Sequence, residues 1–328
     1  MVGATFNYTK NSLRRNPFTA NHSLSLIFIT ETSGVSVSYK GEYANLFENV
    51  NFGIEAGYNS SSFTNNFFGF GNETPNFDDD LDFDFNRVRL QKLIVAPSLI
   101  FRGYQGSKVE LGVSYENIEA ERTEDRFIET AAVNPEVFEG QDFFGVKASY
   151  EYQNFDNEAL PKSGIGFKLT AGYKSNFDED RSFGYLIPEL KLTTKLDRRG
   201  VLVYATKLKG HFNLSDEFEF HQAATIGDGD GLRGFRQERF SGKRSFYQNS
   251  DLRLSLGKIR NSIIPIAFGV YGGFDYGRVW VDDDNSSEWH TTPGAGFYFN
   301  IAGFTTANLG YFDSDDGGRL NVLLKLAF

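Results

Sequence analysis

The sequence predicts an all-β chain whose strands build a transmembrane antiparallel β-barrel. Three observations predict it: polarity that alternates residue by residue, segments longer than ordinary globular strands, and connectors that are short on one side and long on the other. A period of two puts successive side chains on opposite faces of a strand. No comparable stretch shows a helical period of 3.6 with caps, and no run of about 18 apolar residues exists that could cross a bilayer as a helix.

About fifteen segments alternate in this way. Taken in order they lie near 2–10, 21–31, 35–44, 49–59, 87–102, 108–119, 142–154, 164–174, 183–196, 200–211, 246–257, 263–281, 289–301, 304–313 and 319–328. In the fourth, Phe52, Ile54, Ala56 and Tyr58 interleave with Asn51, Gly53, Glu55 and Gly57. In the sixth, Val109, Leu111, Val113 and Tyr115 interleave with Glu110, Gly112, Ser114 and Glu116, and in the seventh Phe144, Val146, Ala148 and Tyr150 with Gly145, Lys147, Ser149 and Glu151. The last sets Leu320, Val322, Leu324, Leu326 and Phe328 against Arg319, Asn321, Leu323, Lys325 and Ala327. Globular strands average about 5–6 residues, whereas a tilted strand needs about 9–11 to span a bilayer. The polar faces carry Glu, Lys, Gln and Asn on segment after segment, which suits a watery lumen better than the dry core of a soluble sandwich or propeller.

The connectors give an independent reading. By these boundaries the even-numbered ones span about 3, 27, 22, 8, 34, 7 and 5 residues, and the odd-numbered ones about 10, 4, 5, 9, 3, 5 and 2. The three longest fall on one side, the asymmetry of an outer-membrane barrel with long loops outside the cell. An antiparallel meander closes only with an even number of strands. One further strand upstream of Met1 would make sixteen; a miscounted segment is the competing explanation. Residues 1–328 are expected to be a single barrel domain with a long inward-folding loop at about 212–245.

Composition narrows the function. The 328 residues contain no Cys, which excludes a disulfide framework, Cys-ligated zinc and a Cys nucleophile. With 43 Asp and Glu against 33 Lys and Arg, the net charge of −10 argues against nucleic acid as a partner, because phosphate binding needs a basic face. Only 8 Pro and 23% charged residues argue against disorder. Met1-Val-Gly begins no signal-peptide pattern. His22, His211, His221 and His290 carry no metal spacing, and no nucleophile elbow or phosphate loop occurs. No enzyme activity, cofactor or metal is therefore expected. The acidic runs Asp78–Asp80 with Asp82 and Asp84, Asp282–Asp284, and Asp313, Asp315 and Asp316 lack EF-hand spacing and read as solvated loops, cation bridges to lipopolysaccharide being the alternative. Aromatics near strand ends, such as Tyr8, Tyr58, Tyr104, Tyr173, Trp280 and Tyr311, read as interfacial girdles.

The longest loop holds Gly227-Asp-Gly-Asp-Gly-Leu-Arg-Gly-Phe235. Its glycines satisfy the letters GxGxxG, but a dinucleotide site needs a βαβ context, and an alternating strand follows instead. Leu232-Arg233-Gly234-Phe235 resembles the sixth-loop tetrad of the Omp85 superfamily, the outer-membrane insertases and transporters with sixteen-stranded barrels, also called the bacterial surface antigen D15 domain. Ser250-Asp251-Leu252-Arg253 resembles the acidic strand after that loop. Phe274-Asp275-Tyr276-Gly277-Arg278-Val279-Trp280 resembles the next strand, and Ala159-Leu-Pro-Lys-Ser-Gly164 the family's upstream turn. Together these cover residues 155–328. Asn66-Phe-Phe-Gly-Phe-Gly-Asn-Glu73 resembles a stretch of Bacteroidota members, which often carry a metallophosphoesterase domain before the barrel. No POTRA-like βαβ pattern precedes the barrel here.

Periodicity places Leu252, Leu254 and Leu256 toward lipid and so Asp251 and Arg253 toward the lumen; on the next strand Phe268, Val270, Phe274 and Tyr276 face lipid and Asp275 the lumen. The resemblance implies that the loop folds back inside the barrel and that Arg233 makes a charge-assisted contact with Asp251 and Asp275. It also implies that the strand ending in Leu320, Val322, Leu324, Leu326 and Phe328 carries the insertion signal and forms one edge of a lateral seam, paired with a missing strand or with Val2–Tyr8. The implied function is insertion or translocation of protein or lipid at the outer membrane. Its partners would be outer-membrane lipid and lipopolysaccharide, client outer-membrane or secreted proteins, and accessory periplasmic or lipoprotein subunits. The alternative is a passive porin-like channel, or a membrane anchor for an upstream enzyme domain.

Overall fold

A computed structural model describes residues 2–12, 15–77, 81–104, 106–177, 179–259, 264–282, 285–303 and 305–326. The first half forms β1 (Val2–Ser12), β2 (Arg15–Ile29), β3 (Gly34–Phe47), β4 (Val50–Asn59), the short β5 (Thr64–Asn66), β6 (Arg87–Arg102), β7 (Ser107–Ala120), β8 (Gln141–Phe155) and β9 (Gly164–Asn176). The second half adds β10 (Ser182–Lys195), β11 (Leu202–Asn213), the short β12 (Ala224–Ile226) and β13 (Phe240–Gly242), β14 (Arg244–Ile259), β15 (Ile266–Trp280), β16 (His290–Ile301), β17 (Thr305–Phe312) and β18 (Arg319–Leu326). The long strands make one antiparallel sheet in sequence order from β1 to β18. Within it β5 pairs only with β6, and β12 pairs with β13 apart from it. Among the described residues β1 pairs with β2 alone and β18 with β17 alone.

Alternation in the sequence becomes two chemically distinct faces. Leu111 and Val113 on β7, Val146 on β8, and Leu252, Leu254 and Leu256 on β14 are exposed on the outer face. The inner face is a network of opposite charges: Glu116 on β7 accepts Lys92 on the adjacent β6 at 3.1 Å and reaches past β8 to Lys174 on β9 at 2.9 Å, while on the adjacent β7 and β8 Glu110 accepts Lys147 at 3.2 Å and Glu151 accepts Lys108 at 3.2 Å. Facing charges of opposite sign stabilise a strand pair, so the pattern that keeps the lumen wet also pins the register.

Several boundaries shift by two or three residues, and one differs more. The first two segments are separated by about ten residues in the sequence reading, yet β1 and β2 stay paired from Val2↔Phe28 to Ser12↔Arg15, with a bulge after Lys10. Apolar alternation ends before the hydrogen-bonded ladder does, because backbone pairing can continue past the apolar slab where polar side chains meet water.

The connectors 60–86, 121–140 and 214–243 all leave the same end of the sheet. They pack into a dome there, through a buried cluster of Phe67, Val88, Leu90, Ile118, Ala120, Ile128, Val137, Phe143 and Phe220. Ile128 lies on the one-turn helix α1 (Phe127–Thr130), and Phe220 on a 3-10 turn, Phe220–Gln222. Burial lowers the pKa of His221 on that turn to about 3, so it sits neutral against Phe143 and Phe220.

Candidate functional site

The connector 214–243 turns back along the inner face of β11 to β18. Its path depends on glycine at two places. A Cβ on Gly227 would lie 2.2 Å from the Arg236 carbonyl, and one on Gly234 would lie 2.7 Å from the Asp313 carbonyl and 2.9 Å from Thr292 Cγ2. A bare backbone at Gly227 lets the loop close tightly on itself, and one at Gly234 lets it approach the barrel wall. On either side of Arg233, Leu232 and Phe235 are buried with Ile226, Phe240, Tyr247 and Val279. This apolar footing holds the tip against β14 and β15.

Arg233 stands between three strands. Its Nε donates to Asp275 Oδ2 at 2.9 Å, and one terminal nitrogen donates to Asp275 Oδ1 at 2.6 Å and to Asp251 Oδ1 at 2.9 Å. The Arg233 backbone N–H also donates to Asp275, at 3.1 Å, and Thr292 Oγ1 donates to the same carboxylate at 3.0 Å. The guanidinium lies 4.0 Å from the centre of the Phe312 ring. Gly273 makes the space: a Cβ there would meet both the guanidinium and Phe312 at 2.8 Å. Asp275 has no exposed side-chain surface. Burial works against the arginine charge, but Asp275 and Asp251 outweigh it and hold the guanidinium above its ordinary range. A planar, two-pronged donor facing a bidentate carboxylate is a geometry that lysine cannot reproduce.

Further contacts tie the loop down. Asp230 pairs with Lys207 and Lys209 on β11 and accepts Tyr247, and Asn321 on β18 donates to Asp228 at 2.8 Å. On the dome side, Arg236 donates to Asn66 at 2.9 Å and to the Phe83 carbonyl at 3.0 Å; Arg239 donates to Asp316 at 2.5 Å and to Thr74 at 2.9 Å. Glu238 accepts the Asn66 backbone N–H at 3.0 Å, and its carboxyl is shifted upward by burial. Asn72 accepts the Val279 N–H at 3.0 Å and donates to the Val279 carbonyl at 2.9 Å. The Asn66–Glu73 stretch is thus the seat of the loop's outer side.

From the opposite end, the turn 156–163 also folds inward. Arg253 donates to the Pro161 carbonyl at 2.6 Å, Thr306 to the Ala159 carbonyl at 3.1 Å, and Leu160 packs on Tyr271, Tyr298 and Phe312. Between the two inserts lies a lumen cavity of about 670 Å³, lined by Gln153, Lys191, Lys207, Arg233, Asn249 and Asp251 among others.

The structure brings Leu232, Arg233, Gly234, Phe235, Asp251 and Asp275 into one cluster. Leu320, Val322 and Leu324 stand apart on the outer face of β18, each more than 60% exposed; Leu326 pairs with Thr305, and Phe328 lies outside the described residues. The sequence singles out neither Phe312 nor Thr292, and it assigns no role to Leu160 or Asn72 although both lie in stretches quoted from it, since each acts only through a strand or loop far away in the chain. Acidic loops read as solvated are in part ion-paired: Asp84 with Arg87 at 2.7 Å, and Asp282 with Lys243 at 2.5 Å. Residues Asp78–Asp80, Asp283 and Asp284 lie outside the described residues.

With this geometry in hand, the chain can be compared with known proteins. A family model described as haemolysin secretion/activation protein ShlB/FhaC/HecB matches residues 162–301, less than half of the chain. A search of curated proteins returns no match. Among solved structures, BamA from Haemophilus ducreyi lacking POTRA domains 1–3 superposes with a TM-score of 0.65 at 12% identity, over 98% of this chain and 70% of that one. CdiB from Acinetobacter baumannii gives 0.63 at 13% identity, over 99% and 56%, and CdiB from Escherichia coli 0.52 at 12%, over 99% and 62%. The chain shares the β-barrel fold of these proteins and spans about 56–70% of their lengths.

Proposed function

We propose that the chain is an Omp85-type outer-membrane barrel that moves polypeptide into or across the outer membrane, with the loop 214–243 as a plug latched by Arg233. The carrying observation is the clamp itself: three side-chain hydrogen bonds from one guanidinium to Asp275 and Asp251, with Phe312 on its face. Removing one partner of such a pair leaves an uncompensated buried charge, so the clamp fails as a unit when the arginine leaves. It therefore suits a loop with a defined docked state and a distinct released one. The ShlB-type match over 162–301 and the folds of BamA and CdiB support the same reading. The work is mechanical, with no covalent chemistry, and its partners are an unfolded client chain and outer-membrane lipid, including lipopolysaccharide. The seam between first and last strands, accessory subunits and kinship with Bacteroidota members belong to this proposal.

Because the chain has no Cys, introduced thiols are unique. Asp228→Cys and Asn321→Cys joined by a short, cleavable bismaleimide would tether the loop to β18. In proteoliposomes the untethered protein is expected to accelerate folding of a urea-unfolded outer-membrane barrel or to pass an unfolded client, and the tethered protein to do neither until the linker is cleaved. Absence of both activities without the tether, or activity indifferent to it, would reject the plug-gated reading in favour of a passive channel or an anchor.

A further inference from the structure

At the dome end of β16 and β18, two connectors converge on one buried imidazole. A ring nitrogen of His290 and carboxylate oxygens of Glu288 and Asp315 all lie within 4.8 Å of one another. Glu288 and Asp315 are exposed, but His290 is 5% exposed and its Nε2 is buried without a hydrogen-bond partner. The ring is held rather than free: it stacks on Phe240 at 3.7 Å, meets Phe235 edge-on at 5.6 Å, and hydrogen-bonds the Asn72 backbone. With Nε2 unpartnered, one ring nitrogen remains that can offer its lone pair to an ion.

A buried, unpaired imidazole nitrogen costs free energy unless something occupies its lone pair. We propose that Glu288, His290 and Asp315 form a divalent-metal site, with zinc as the ion, that latches the connectors 281–289 and 313–318 together. One imidazole with two carboxylates is a borderline-to-hard donor set, which zinc accepts and which magnesium or calcium, preferring oxygen alone, accepts poorly. Ligand atoms about 2.0–2.2 Å from a tetrahedral zinc lie about 3.3–3.6 Å apart, so closing the cluster needs only small rotations of two exposed carboxylates. The fourth position faces solvent and takes water. The nearby guanidiniums do not oppose the ion strongly: Arg239 is neutralised by Asp316 at 2.5 Å, and Arg278 is engaged by the Ser286 carbonyl at 2.5 Å. Since Asp316 also anchors Arg239 of the loop 214–243, zinc at this place would hold the loop's outer footing.

The test uses the whole folded chain in detergent, freed of metal with chelator. Calorimetric titration with zinc chloride is expected to show one equivalent bound, weakened by more than about 100-fold in the Glu288→Gln/Asp315→Asn double variant, whose folding is read from heat-modifiable mobility. Zinc should also slow proteolysis within 214–243. Cobalt(II) added to the unaltered chain provides a reading that needs no variant: visible bands of a tetrahedral site support the proposal. No stoichiometric zinc, equal affinity in the double variant, tighter calcium than zinc, or only octahedral cobalt bands would overturn it.

Discussion

Replacing Arg233 with Ala tests the clamp most directly. The substitution removes three hydrogen bonds, to Asp275 at 2.9 and 2.6 Å and to Asp251 at 2.9 Å, together with the cation over Phe312. It leaves Asp275 with no exposed side-chain surface and only two neutral donors, the residue-233 N–H and Thr292 Oγ1. Stranding one partner of a buried pair costs about 3–5 kcal/mol, and the two surviving donors place this case near the lower end. About 3 kcal/mol is roughly a hundredfold in the ratio of released to docked loop. Limited proteolysis of the detergent-folded protein reads that ratio, because cleavage within 214–243 follows the released fraction when docking is fast. Protection is therefore expected to fall about a hundredfold. The Arg233→Ala/Asp275→Asn double variant should recover part of it, since the fully buried carboxylate is then neutral and only the partly exposed Asp251 keeps its charge. Unchanged protection in the single variant, or a double variant worse than the single, would refute the reasoning.

Three other outcomes follow from the same geometry. Gly234→Ala forces a Cβ to within 2.7 Å of the Asp313 carbonyl, and this overpacking should cost about 1–3 kcal/mol of loop docking, seen as faster cleavage within 214–243. Asn72→Ala removes the side-chain acceptor of the buried Val279 N–H and leaves the Val279 carbonyl only the long 3.5 Å contact from Arg278 Nε; it should lower stability by about 1–3 kcal/mol, measured as a lower temperature for the mobility shift. Glu238 is an acid whose pKa burial raises above the unfolded value, so the folded state holds its proton more tightly. Its contribution should be strongest at low pH and be lost as pH climbs from the ordinary glutamate range through the raised folded value; Glu238→Gln should flatten that slope in protease protection measured across pH.

The strands were legible because a lipid-facing barrel imposes a period of two on every crossing, and one face must be apolar throughout. That constraint is local, so Leu252, Leu254 and Leu256 announce the orientation of Asp251 without any partner in view. Strand ends were less legible: the β1–β2 ladder outruns its apolar alternation, since backbone hydrogen bonds do not depend on side-chain polarity. The clamp was half legible. Periodicity turned Asp251 and Asp275 toward the lumen and the family resemblance nominated Arg233 as their partner, but nothing pointed to Phe312, Thr292 or Gly273, for they matter only through their distance from the guanidinium.

By itself the chain of residues determined an all-β architecture, the two faces of each strand and the side that carries the long connectors, because each follows from neighbours in sequence meeting oil or water. Tertiary structure alone decided that the turn 156–163 enters the lumen, that the Asn66–Glu73 stretch seats the loop, and that His290 stands between two acidic connectors. Those depend on close approach between segments far apart in the chain, and a local pattern of polarity carries no record of such distances.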